Sequence, residues 1–125
     1  MKIVALHHFA IPLPVGREDM AREFYVGILG LREEPKPAKL GVDGGCWFVT
    51  PDGRQVHLQS DPQFFPLRHP HPALAVADID EAAAHLEKHG LSPRWDDRWE
   101  GVRRFFVHDP FGNRIEILEA GMVGL

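Results

Sequence analysis

The chain has 125 residues, 44% of them hydrophobic, which is enough for one compact domain with a core. Its 14 basic and 18 acidic residues are interspersed and sum to −4, so no basic face is offered to a phosphate backbone and nucleic acid is not an expected partner. No apolar run approaches the roughly 20 residues that a bilayer crossing needs, and the single cysteine, Cys46, excludes a disulfide within the chain; both suit a soluble, cytoplasmic protein with no membrane partner.

In chain order, Val4 to Ile11 alternates as a strand, with Leu6, His8 and Ala10 on one face and His7, Phe9 and Ile11 on the other. Pro12, Pro14 and Gly16 are expected to end it. From Arg17 to Leu29 the apolar positions Met20, Phe24 and Ile28 recur every four residues, and Gly30 follows as a helix stop. A Pro- and Gly-rich stretch reads as irregular before two strands, Cys46 to Thr50 and Gln55 to Gln59, joined by a turn at Pro51-Asp52-Gly53. Residues 61–70 contain three prolines and no period, so they read as a linker between a first module of about 1–60 and a second of about 71–125. The second module begins with a short strand from His71 to Ala77. Asp78 then reads as a helix N-cap, with Glu81 completing a capping-box pattern, and Gly90 as the stop. A charged, aromatic loop from Trp95 to Gly101 precedes strands Arg103 to His108 and Arg114 to Glu119. The order strand, helix, strands is used twice, which predicts an α+β fold with two curved, mostly antiparallel sheets.

The repetition extends to particular residues. Pro51-Asp52-Gly53-Arg54-Gln55-Val56-His57-Leu58 runs in parallel with Pro110-Phe111-Gly112-Asn113-Arg114-Ile115-Glu116-Ile117, and His8-Phe9-Ala10-Ile11 with His71-Pro72-Ala73-Leu74. His57 therefore answers to Glu116, and His8 to His71. The period of two places each of the four on the strand face opposite the apolar set, with small alanines beside His8 and His71. If the sheets curl together, three imidazoles and one carboxylate meet on a concave surface, a donor set for a divalent first-row transition metal such as Zn, Ni, Fe, Mn or Co. His69 shares the parity of His71, and only the repeat alignment selects His71. By parity His7 faces away. His85, His89 and His108 read as surface or turn residues, and Cys46 as a buried small hydrophobe. Trp95 and Trp99 fit either a lid or ordinary packing under a loop. Arg94, Arg98 and Arg104 fit either a solvated surface or the pairing of an anionic substrate.

On these motifs, together with Phe24-Tyr25, Leu29-Gly30-Leu31 and Asp109-Pro110-Phe111-Gly112-Asn113-Arg114-Ile115-Glu116, the chain resembles the vicinal oxygen chelate superfamily. That superfamily includes glyoxalase I, bleomycin-resistance proteins and extradiol dioxygenases. The resemblance implies a single glyoxalase-like domain of two βαβββ modules, with metal ligands at His8, His57, His71 and Glu116. It also implies a lyase or isomerase acting on a small molecule with neighbouring oxygens through an enediolate, with His57 or Glu116 as base. Proteins resembling glyoxalase I carry a glutamate where this chain has His57, which argues against strict glyoxalase I activity. Two rivals are a non-haem iron dioxygenase using His8, His71 and Glu116, and a metal-free drug-binding protein of the bleomycin-resistance type. Short members commonly exchange modules, so the expected assembly is a homodimer in which His8 and His57 of one chain meet His71 and Glu116 of the other.

Overall fold

A computed structural model describes residues 1–125, and the chain divides into two units, Met1–Pro66 and Leu67–Leu125. The first unit runs strand β1 (His8–Leu13), helix α1 (Glu18–Arg22) continuing as a π-helix (Glu23–Ile28), β2 (Arg32–Glu34), a short helix α2 (Ala38–Gly41), β3 (Cys46–Val49) and β4 (Gln55–Ser60). The second runs β5 (Ala73–Val76), helix α3 (Ile79–Lys88), β6 (Arg94–Asp96), β7 (Arg104–His108), β8 (Arg114–Glu119) and a final 3₁₀ turn (Ala120–Met122). Each unit is thus a βαβββ module. The sheet orders are β1-β4-β3-β2 and β5-β8-β7-β6, with the first strand parallel to the last and the remaining pairs antiparallel. The duplication read in the sequence is a duplication of topology.

The apolar face of each strand set makes the core. Ile11, Leu13, Phe48, Val56 and Leu58 pack with Phe24 and Tyr25 of the π-helix in the first unit, all buried. Phe105, Val107, Ile115 and Ile117 do so in the second, where α3 buries Ile79, Ala83 and Leu86 at helical spacing. Asp78 caps α3 by accepting from the Glu81 backbone N–H at 3.0 Å, and the Glu119 carboxylate accepts from Ile79 N at 2.9 Å. Both satisfy first-turn donors that have no partner in the helix. Gly30 and Gly90 leave their helices at φ of 78° and 81°, a conformation that costs a side-chain-bearing residue energy and that lets the next residue's N–H bond back. Leu31 N reaches Tyr25 O and Leu91 N reaches Leu86 O.

Several boundaries differ from the sequence reading. The first strand begins at His8 rather than Val4, and Pro12 lies inside it rather than ending it. β1 is an edge strand bonded to β4 alone, where a missing N–H is tolerated; ahead of it Ile3, Val4 and Leu6 are exposed. The sequence pattern does not reveal β2, and β6 overlaps the stretch from Trp95 that reads as a loop. Their sequences, Arg32-Glu33-Glu34 and Arg94-Trp95-Asp96, have no apolar alternation because each is an edge strand. No helix is long and apolar enough to cross a membrane.

Candidate functional site

In the first unit β4 lies between β1 and β3, so a side chain on it is flanked from both sides. His57 pairs in register with Trp47, and their rings stack at 4.1 Å and 5°. On the other flank the His8 ring stacks on His57 at 4.0 Å and 14°. His57 Nε2 lies 2.7 Å from Gln55 Oε1, an acceptor only, so Nε2 carries the hydrogen and Nδ1 the lone pair. His57 is 8% exposed. Burial, then the neighbouring His8, His7 and Lys36, lower its pKa from 6.5 to about 4, so it is neutral at pH 7. His8, Ala10, Lys36, Trp47, His57 and Gln59 line an open cavity of about 520 Å³. His7, read as facing away, instead places Nδ1 2.9 Å from His8 Nδ1. It precedes β1, so strand parity does not govern it.

The lowered pKa of His57 has a consequence for stability in the metal-free protein. Between pH 6.5 and about 4 the unfolded chain binds a proton at this residue that the folded chain does not, so stability falls as pH drops through that window. The full shift corresponds to at most about 3 kcal/mol. Urea unfolding at about pH 7 and pH 4.5 should show a smaller acid loss in His57→Gln than in wild type. Equal losses would contradict a buried neutral His57.

In the second unit Glu116 is 3% exposed on central strand β8. Phe106 is its cross-strand neighbour, and His71, just ahead of β5, lies on the other side. His71 Nδ1 is 2.6 Å from the His69 carbonyl oxygen and Nε2 is 3.1 Å from Glu116 Oε1. A carbonyl only accepts, so the hydrogen of a neutral His71 sits on Nδ1. Nε2 and Oε1 then each present a lone pair to the other, an arrangement that a shared proton or a cation reconciles. Arg104 Nη1 donates to Glu116 Oε1 at 2.9 Å and Nη2 to Asp96 Oδ1 at 3.2 Å, while its Nε is buried without a partner. Both Glu116 bonds fall on Oε1. Asp96 also receives Arg98, and the hydrogen bonds from Arg98 and Arg104 hold its carboxyl down at about 2. Phe106 floors this half-site, with the His71 ring edge-on at 5.3 Å and the Arg104 and Arg114 guanidiniums over it at 5.1 and 3.7 Å.

The two halves differ as metal donors. Bonds of about 2.0–2.1 Å to one ion at angles between 90° and tetrahedral put donor atoms about 2.9–3.4 Å apart. The His71–Glu116 separation of 3.1 Å fits. The His8–His57 stack does not fit as a pair: lone pairs lie in the ring planes, and nearly parallel planes 4.0 Å apart share no ion. As a single ligand His8, exposed at the start of β1 and bonded to His7 through Nδ1, has Nε2 left for an ion. No three His, Cys, Asp or Glu side chains are gathered to hold a metal.

The remaining candidates fall elsewhere. His85 and His89 are exposed at the end of α3, their rings 4.6 Å apart; His108 is exposed, and Cys46 is buried with its thiol pushed up to about 12 by burial. Trp99 lies 5.7 Å from the Arg104 guanidinium, on the side of the half-site, whereas Trp95 packs edge-on against Phe105. The contact that the sequence reading missed is Arg104 on Glu116. Parity carries half of the signal, placing Arg104 and Phe106 on one face of β7; the register that sets Phe106 opposite Glu116 supplies the rest.

The family model described as Glyoxalase/Bleomycin resistance protein/Dioxygenase superfamily matches residues 5–117. The chain belongs to that superfamily. A glyoxalase family protein from Bacillus anthracis is 40% identical, with a TM-score of 0.91 over 95% of this chain and 97% of that one. An antibiotic binding protein from a Streptomyces species (23% identity, TM-score 0.76, 95% and 98% covered) shares the superfamily fold. So does a lactoylglutathione lyase from Agrobacterium tumefaciens (18%, TM-score 0.74, both chains wholly covered). No curated protein matches the chain.

Proposed function

We propose that this glyoxalase-superfamily chain is a metal-dependent enzyme for a small molecule with neighbouring oxygens, with His71 and Glu116 as the core of the ligand set and His8 completing it. The observation that carries this reading is the pair of facing lone pairs, His71 Nε2 and Glu116 Oε1, with Nδ1 of the same ring committed to the His69 carbonyl. A backbone carbonyl on the far nitrogen is the usual device for orienting a metal-binding imidazole. A divalent ion held there would act as a Lewis acid on the substrate oxygens.

The chain's own residues have separate tasks. Arg104 fixes the Glu116 carboxylate through Oε1, whose other lone pair faces His71, and leaves Oε2 open to a substrate proton. His57, sandwiched and neutral, keeps its Nδ1 lone pair for a substrate hydrogen. Its low pKa makes it a weak base, so it suits holding and orienting that hydrogen rather than removing one; Glu116 Oε2, which no protein donor occupies, is the atom placed to take a proton leaving carbon.

A second reading has its own support. Arg104 already balances the Glu116 charge, and the Trp47-His57-His8 stack lines a cavity suited to a planar ligand, as a metal-free binding protein would need. Elemental analysis after purification, then reconstitution with iron, nickel, zinc, manganese or cobalt, separates the readings. Stoichiometric uptake supports the enzyme, redox-active iron turns it toward a dioxygenase, and no uptake of any ion leaves the binding protein.

We also propose a homodimer in which each site draws His8 and His57 from one chain and His71 and Glu116 from the other. Mixing His8→Ala with Glu116→Ala protein under subunit exchange then gives one site with both defects and one intact, restoring up to half a site per chain in the mixed dimers. Exchange without any return of metal binding would place each site within a single chain.

A further inference from the structure

The strand face that carries Glu116 has more positive charge than it uses. Cross-strand partners share a face, so Arg94 opposite Phe106, Phe106 opposite Glu116, and Asp96 opposite Arg104 place Arg94, Asp96, Arg104 and Glu116 together, with Arg114 two residues before Glu116. Three guanidiniums face two carboxylates. Arg104 is matched by both carboxylates, at 2.9 and 3.2 Å. Arg94 is exposed and has no ion pair, and Arg114 has no carboxylate partner, its guanidinium carbon lying over the Phe106 ring 3.7 Å from the centroid.

That pose sets Arg114 apart from a freely solvated surface charge. Attraction to an aromatic ring holds the cation but supplies no acceptor to its five N–H donors, which lie in the guanidinium plane and match the two oxygens of a carboxylate or phosphonate. It also holds the fork in place before a ligand arrives, so less side-chain entropy is lost on binding.

We propose that the substrate carries an oxyanion group, a carboxylate or a phosphonate, that docks on Arg114 over Phe106, with Arg94 adding charge beside it. This rests on the Glu116 face being the substrate site, and it names the substrate class that face selects. Neutral diols and aldehydes without an anionic arm leave Arg114 unpaired and are the disfavoured class.

The test uses chelator-dialysed protein, so that it does not depend on metal uptake. Benzoate, phenylphosphonate and the neutral benzamide are titrated in turn while backbone and arginine side-chain NMR signals are followed. The anions should bind about tenfold or more tightly than benzamide, as charge-assisted pairing implies, and perturb Arg114 and Glu116. The tighter of the two anions identifies the oxyanion. Arg114→Gln should abolish that preference, Arg114→Lys should recover part of it, and Arg54→Gln, in the other unit, should leave it intact. Equal binding of benzamide, or a full anion preference in folded Arg114→Gln, overturns the proposal; should Arg114→Gln not fold, Arg114→Lys with wild-type affinity for both anions does the same. Metal uptake without anion preference would sink this inference alone, and anion preference without metal uptake would sink the metal reading alone.

Discussion

Asp109→Ala is expected to destabilise the chain by about 3–5 kcal/mol, measured by urea unfolding, because it leaves several buried donors without their acceptor at once. Asp109 is 5% exposed and Asn113 is 0% exposed. The Asp109 carboxylate accepts from Phe111 N at 2.9 Å, Asn113 N at 2.8 Å and the Asn113 side-chain amide at 2.9 Å. The oxygen of that amide in turn accepts from Leu67 N at 2.8 Å, so one carboxylate organises both the turn into β8 and the start of the unit. In the matching turn of the first unit Thr50 stands where Asp109 does; there Asp52 bonds the Arg54 backbone at 3.2 Å from an exposed position, and Asp52→Ala should cost less than about 1 kcal/mol. Similar losses in the two variants would mean that the buried network does not hold the turn.

The contrast between these two turns shows what was legible in the sequence. Pro51-Asp52-Gly53-Arg54 and Pro110-Phe111-Gly112-Asn113 read as equivalent turns by repeat alignment, and both are turns, but their burial depends on tertiary packing that local sequence does not carry. Strand parity placed His8 and His57 on one face, and the parallel pairing of β1 with β4 brings their rings to 4.0 Å. It likewise placed His71 with Glu116, now 3.1 Å apart. What parity could not supply was register. Arg104 reaches Glu116 because Phe106, not a neighbour, opposes Glu116 on β8, and a slip of that pairing would have sent the guanidinium elsewhere. Register also explains why Trp47 stacks on His57: a tryptophan in a Gly-rich approach to a strand gives no sign of which residue it will oppose.

Glu116→Ala carries the second large effect. Its side chain is 4% exposed against 16% for Arg104, and removing it strips a charge-assisted bond from a guanidinium that already has one buried N–H unpartnered. Losing one member of a buried pair costs about 3–5 kcal/mol, whereas Glu116→Gln keeps an acceptor oxygen for Arg104 and should cost less than half of that. Equal destabilisation by both substitutions would show that charge alone, and not the bond to Arg104, sets the cost. Glu116→Gln is therefore the variant for metal work, since it removes the anionic ligand while sparing the surrounding structure.

Calorimetric titration of chelator-dialysed wild type and Glu116→Gln with zinc is the most direct measurement of the proposed metal site. Facing lone pairs on His71 and Glu116 call for tight, near-stoichiometric binding by wild type and for affinity at least about tenfold weaker in a folded Glu116→Gln, because losing a ligand costs no less than losing a group that supports one, about tenfold to a hundredfold. Equal zinc affinity in the two proteins, or no uptake of zinc, nickel, iron, manganese or cobalt by wild type, would contradict the assignment and leave a shared proton between His71 and Glu116 in the metal's place.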